Sequence, residues 1–250
     1  VTVDVLTGSV FRNTGYRIDI RESPDATTAA LISDTVFEEN DGVIWIQSSS
    51  SFGDFGINIS NTTFENNTGT IYVSSKPSTN TLVDSVFIDN TVDSIASSFI
   101  DGGIYLNGYA SVTGTLFQDN VVAPGRTTDT VVEAMNVDTF ENNRFVGNDV
   151  DEAAPASERF ILSIRDALAD TAVYKDNYFE FAKRTNVFFI ENMNTNTMDN
   201  WDLSGNYWVE TDPAVISTYV YGSLYDSSRS DVAINPPLAT APTGAPAPRP

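Results

Sequence analysis

One phrase recurs along the chain: an apolar residue, a Gly, Asn or Asp two positions later, and an aromatic residue three positions after that. It reads LTGSVFRNT at 6–14, ISDTVFEEN at 32–40, ISNTTFENN at 59–67, LVDSVFIDN at 82–90, VTGTLFQDN at 112–120, FENNRFVGN at 140–148, YKDNYFEFA at 174–182 and LSGNYWVET at 203–211. The aromatic anchors are Phe11, Phe37, Phe64, Phe87, Phe117, Phe145, Phe179 and Trp208, separated by 26, 27, 23, 30, 28, 34 and 29 residues. Steps this uneven do not suit helical hairpin repeats; they suit short coils carrying loops of varying length.

The offsets have a physical reading. Five residues before each anchor stands an apolar residue: Leu6, Ile32, Ile59, Leu82, Val112, Phe140, Tyr174 and Leu203. Three before it stands Gly8, Asp34, Asn61, Asp84, Gly114, Asn142, Asp176 or Gly205, the residue types that tolerate a left-handed backbone. The phrase therefore predicts an inward side chain, a tight bend and a second inward side chain. Three residues after five of the anchors come Asn40, Asn67, Asn90, Asn120 and Asn148, which in stacked coils can hydrogen-bond along a ladder.

A further strand with period-two alternation follows in most coils, with inward pairs Ile18/Ile20, Ile44/Ile46, Ile71/Val73, Ile104/Leu106, Val132/Ala134, Leu162/Ile164 and Phe188/Ile190. No single coil can bury its own apolar side chains, so the coils must stack. The expected fold is all-β, a parallel β-helix of about eight coils and, at about 4.8 Å per coil, about 38 Å long. A sandwich of short antiparallel strands is the alternative. The segment at 161–169 also suits a helical turn, although strand is expected there.

Composition narrows the chemistry. The 250 residues carry 13 Lys and Arg against 34 Asp and Glu, a net charge of −21, and include no Cys and no His. So acidic a surface repels phosphate backbones and anionic lipid, so neither nucleic acid nor a membrane is an expected partner. Thiol and imidazole chemistry is excluded, as are the usual zinc, copper and haem ligand sets, leaving carboxylates, Arg, Lys, Tyr and hard cations. No apolar run is long enough to span a bilayer. Any leader is expected to lie outside the sequence. Residues 239–250, ATAPTGAPAPRP, are expected to be an extended linker that leaves the 1–238 β-helix domain and continues past Pro250.

ISNTTFENNTGTIYV at 59–73 and GGIYLNGYASVTGTLFQDN at 102–120 resemble right-handed parallel β-helix proteins of the pectin-lyase-like group, including the polymorphic outer-membrane-protein type of repeat. The end of the chain looks like that group's closing phrase: Asn206-Tyr207-Trp208, Asp212-Pro213, Ile216 and Pro236-Pro237-Leu238, with Val209 where a Gly is usual. The resemblance covers about 1–238 and implies the fold. Its functions range over lyases, hydrolases, epimerases, adhesins and inert stalks, so it does not choose among them.

The polygalacturonase-like pattern requires a His, which this chain lacks. For a pectate-lyase-like site, calcium needs several converging oxygens. The candidates are Asp149, Asp151 and Glu152 beside Arg159, or Asp129 and Glu133 near Arg126; acidic loops in water are the plainer reading. On the outer face of the second strand, the alternation predicts the row Arg17, Trp45, Tyr72, Tyr105, Glu133, Ser163 and Phe189. Trp45, Tyr72 and Tyr105 would then be exposed in line to bind a glycan or a protein partner, unless a loop such as 48–56 covers them. Asn58, Asn61 and Asn66 head N-glycosylation sequons, with Asn58 pointing outward.

The expected function is a non-enzymatic extracellular module at a cell surface, structural or adhesive, with other subunits or surface polysaccharide as partners. No cofactor is expected beyond calcium on acidic loops. Head-to-tail stacking into filaments is expected if the end coils expose their strand edges. The alternatives are a calcium-dependent polysaccharide lyase or epimerase, and a carbohydrate-binding module.

Overall fold

Every strand pair in the computed structural model is parallel, which rules out the sandwich among the described residues. Those are residues 2–22, 28–48, 56–75, 80–93, 102–122, 130–150, 159–165, 172–180, 187–192, 201–222, 227–228 and 231–250. The chain winds as a parallel β-solenoid of about six turns, fewer than the eight expected. Just before the eighth phrase the strand Trp201–Asp202 does not join the earlier coils but pairs with Val232–Ala233, whereas Tyr207–Trp208 within the phrase still pairs with Tyr178–Phe179.

Three long sheets run the length of the solenoid. The first has nine strands and includes Arg17–Glu22, Val43–Gln47, Ile71–Ser74, Gly102–Asn107, Thr130–Met135, Phe160–Arg165 and Phe188–Asn192. The second, seven-stranded, carries the apolar residues that open the first seven phrases, and the third, eight-stranded, carries the anchors. A small four-stranded sheet, Thr68–Gly69 to Asp149–Val150, fills the corner between third and first.

The register follows the repeat. All eight anchors stand opposite one another in the third sheet, Phe11 on Phe37 through to Phe179 on Trp208. From Phe11 to Phe145 successive rings lie 4.6–5.1 Å apart, within 17° of parallel. That spacing is the distance between parallel strands, so backbone pairing and ring stacking are satisfied by one translation. After Phe145 the rings tilt by about 50°, and Phe189 and Trp208 close the stack edge-on. Ile32, Ile59, Leu82, Val112 and Phe140 line the second wall, and Ile20, Ile46, Val73, Leu106 and Ala134 the first; all are fully buried.

The bends fall where the phrase puts them. All eight residues three before an anchor have a left-handed backbone, from φ 46° at Asn61 to φ 71° at Gly205. A second left-handed row, two after the anchor, was not read from the sequence: Asn13, Glu39, Asn66, Asp89, Asp119 and Gly147. There Asp89 and Asp119 bring like charges together. Loss of water and then the Asp119 charge hold the Asp89 carboxyl above its ordinary value. The folded chain therefore keeps this proton more tightly than the unfolded one, so stability falls as pH rises from the ordinary Asp value through the raised one. Asp89→Asn is expected to raise the melting temperature by about 1–2 °C at neutral pH and to leave it unchanged near pH 3, as read by thermal unfolding at both values.

The expected Asn ladder is present. Asn40, Asn67, Asn90, Asn120 and Asn148 link in series through Nδ2 to Oδ1 bonds of 2.8–3.0 Å. The Oδ1 of each later member also accepts the backbone N–H of the one before it, that of Asn40 accepts from Thr14, and each Nδ2 also donates to an anchor carbonyl, as Asn120 does to Phe87. A second ladder, Asn143, Asn177 and Asn206, begins two residues before the anchor. In earlier coils that position holds Thr35, Thr62, Ser85 and Thr115, whose hydroxyls donate to the carbonyl two residues back.

The two ends differ. At the first coil, Thr2–Val3, Val5–Thr7 and Val10–Arg12 are edge strands, and Val5, Val10 and Tyr16 are exposed. At the far end the one-turn helix Pro213–Ile216, capped by the Asp212 side chain, buries Ile216 in the core. Beyond it Gly205 N donates to the Pro236 carbonyl and Leu238 N to the Asn206 carbonyl. No helix of the described residues is long and apolar enough to cross a membrane.

Residues 239–250 do not leave the rod as a linker. The segment lies back on the third sheet: Gln118 Nε2 donates to the Arg249 carbonyl at 3.0 Å, and Arg249 N donates to Gln118 Oε1 at 2.9 Å.

Candidate functional site

The outer face of the first sheet gathers the functional candidates. Its register sets Asp19, Trp45, Tyr72, Tyr105, Glu133, Ser163, Glu191 and Tyr221 in one axial row. The expected row is thus corrected at both ends, Arg17 giving way to Asp19 and Phe189 to Glu191. At the near end alternation itself puts Asp19, between the inward Ile18 and Ile20, in the row. At the far end alternation fails at the corner, where two successive residues point inward, as Val131 with Val132, Ile161 with Leu162, and Phe189 with Ile190, all buried in the core.

The aromatic segment of the row is real, but its faces are used. Trp45 stacks on Tyr72 at 3.8 Å and Tyr72 on Tyr105 at 5.0 Å, each 12° from parallel. The Arg17 guanidinium sits 4.7 Å from the Trp45 ring centre, and the indole N–H donates to Gln47. Tyr105 Oη donates to the Met135 sulfur at 2.8 Å. Stacking on a sugar needs a free ring face. Tyr72 has both faces covered and is 8% exposed, and Tyr105 is 4% exposed, so this is a packed side cluster rather than the exposed platform expected. Of the 48–56 loop, residues 49–55 lie outside the described residues.

Beyond Tyr105 the row turns ionic and stays buried. Glu133 has no exposure and pairs with Arg165, Nη1 to Oε1 3.4 Å. Ser163 Oγ donates to Glu191 Oε2 at 2.9 Å. A carboxylate removed from water needs such a partner to stay charged. The alternation placed Glu133 in this row between Tyr105 and Ser163, and the register bears that out; its alternative reading as a calcium ligand on a solvated acidic loop does not fit its burial. At the row's other end Arg21 hydrogen-bonds both Asp19 oxygens, at 2.9 and 3.1 Å, and this bond chiefly holds the Asp19 carboxyl below the usual range.

The calcium candidates are not assembled among the described residues, where no three acidic side chains converge as a metal site. Asp149 uses its Oδ1 to accept the N–H of Val150, and Arg159 is buried. Asp151, Glu152, Asp129 and Arg126 lie outside the described residues. A surface cleft of about 420 Å³, lined by Gly15, Tyr16, Arg17, Asp41, Gly42 and Val43, opens near the first coil.

The sequon residues differ in access. Asn61 and Asn66 are exposed on left-handed bends, where Asn61 donates to Asp34 and Asn66 to Glu65. Asn58 points outward as expected but is half-buried, its Oδ1 accepting from Thr81 N and Oγ1.

Comparison of the chain with protein-family models, with curated proteins and with solved structures finds no match. The reading of its function therefore rests on the geometry.

Proposed function

We propose that this chain is a stiff, non-catalytic extracellular module, structural or adhesive, displayed at a cell surface or in a filamentous assembly. The observation that supports this best is axial continuity: stacked rings and Asn ladders link coil to coil through much of the interior. Such bonds resist bending and extension, because deforming the rod breaks several at once. The two unlike ends suit polar assembly. The first coil offers parallel edges that a further strand extends, whereas the last carries a helix and the prolines Pro236 and Pro237, which have no N–H to donate. In an extracellular setting Asn61 and Asn66 are the favoured glycan acceptors, and the −21 charge attracts calcium or cationic partners.

A second reading, a calcium-dependent polysaccharide lyase or epimerase or another carbohydrate-active site, is favoured by the buried Glu133, Ser163 and Glu191 with the half-buried Arg165, in the row that runs on from Tyr105. Two coil steps separate the carboxylates along the rod, about 10 Å at about 4.8 Å each. Incubation with alginate, pectate and neutral glycans, with and without calcium, decides between the two. No product is expected; product that disappears in both Glu133→Gln and Glu191→Gln would establish the enzyme instead. Glycan retention without turnover would favour the binding module.

A further inference from the structure

The outer face of the third sheet is not uniform. In the first coil its outward residue Val10 is 61% exposed, yet the matching Val86 and Leu116, three and four coils on, are 9% and 1% exposed. Val86, Ile88 and Leu116, with Val146 packed on them, form an apolar cluster separate from the interior. Outward valine and leucine on a solenoid wall are removed from water only if something lies over them.

The C-terminal segment crosses this place. A turn at Pro242–Ala245, where Ala245 N donates to the Pro242 carbonyl, seats Gly244 against the bend residue Asn142. A Cβ at Gly244 would come 2.3 Å from Asn142 Oδ1, so no larger residue fits without displacement. The chain then reaches Arg249, whose N–H and carbonyl are both held by the single carboxamide of Gln118. The Arg249 guanidinium goes on to Thr63 Oγ1 at 3.5 Å, two coils away. In the register, Thr63 and Gln118 flank Val86 and Ile88, so the arginine stem spans the apolar cluster.

We propose that this face is a docking surface for an extended proline-rich segment, and that the chain's own 239–250 is its resident, exchangeable occupant. The chemistry is specific. Prolines have no N–H and cannot extend a sheet edge, but they hold the chain extended before it binds, which lowers the ordering cost. A Gln that pairs both backbone groups of one residue recognises main chain, while Arg249 supplies the one positive charge in the segment to an acidic rod. A second copy's C-terminal segment carries the same groups and fits the same place.

The test uses the full chain, which has no cysteine of its own, with Pro250→Cys bearing a nitroxide. The label's rotation is expected to be several-fold slower than on the free peptide. Gln118→Ala, and separately Gly244→Val, should release it without altering the circular dichroism, because both positions lie outside the core. Unlabelled ATAPTGAPAPRP at several millimolar, comparable to the effective concentration of a tethered segment, should also release it, and a proline-free analogue should not. A label as mobile as the free peptide, no release in either variant, or no displacement by the peptide would overturn the proposal.

Discussion

Asn120→Ala is expected to destabilise the rod by roughly 3–6 kcal/mol and to lower its melting temperature by about 10 °C or more. The side chain is wholly buried and works as one link with four connections. Nδ2 donates to the Phe87 carbonyl at 2.9 Å and to Asn148 Oδ1 at 3.0 Å, and Oδ1 accepts from Asn90 Nδ2 at 2.8 Å and Asn90 N at 3.3 Å. Alanine strands the Phe87 carbonyl and two Asn90 donors where water does not reach, at about 1–3 kcal/mol each. Asn120→Asp should be worse at neutral pH, since a carboxylate would face two acceptors. Part of its loss should be recovered in acid, where the protonated group can donate again. Asn66→Gly, one residue before a ladder position but exposed and with φ 52°, should stay within about 0.5 kcal/mol of the parent. Denaturant titration of the four chains checks the order.

Phe117→Ala is expected to cost about 3–5 kcal/mol. The ring is fully buried between Phe87 at 5.1 Å and Phe145 at 4.6 Å, with Phe140 6.5 Å away. Its removal opens a cavity that rigid coils above and below cannot fill, and breaks two stacking contacts. Phe11→Ala removes the same group from the first coil, where the ring is half-buried and stacks only on Phe37 among the described anchors. It should cost less than half as much. Equal losses at the two positions would mean that the rings do not form an axial stack.

Both substitutions fall on positions that the sequence made plain, because inward residues recur at constant offsets from the anchor whatever the loop between them. Harder to see were places where the coil's cross-section departs from simple alternation. The corner that turns both Phe189 and Ile190 inward shifted the outer row there by two residues, moving Glu191 in and Phe189 out. The second Asn ladder was hidden because Ser, Thr and Asn share one position, and a hydroxyl meets the local need of the bend as well as a carboxamide does. The place of Glu133 in the outer row was legible from the alternation, but not its burial or its pairing with Arg165. The C-terminal segment was misread for a different reason: its composition is that of a linker, and its partner Gln118 lies 131 residues earlier in the chain. Proline content measures how stiff a segment is, not whether a surface awaits it.

Hydrogen exchange of the asparagine side-chain amides, followed residue by residue in the native protein, tests the stacked interior most directly. The carboxamide protons of Asn67, Asn90 and Asn120 should be protected to the same degree as backbone amides of the core strands, and those of Asn61 and Asn66 should exchange freely. Fast exchange at all five would mean that no ladder joins the coils, and that the rod and the role proposed for it are wrong.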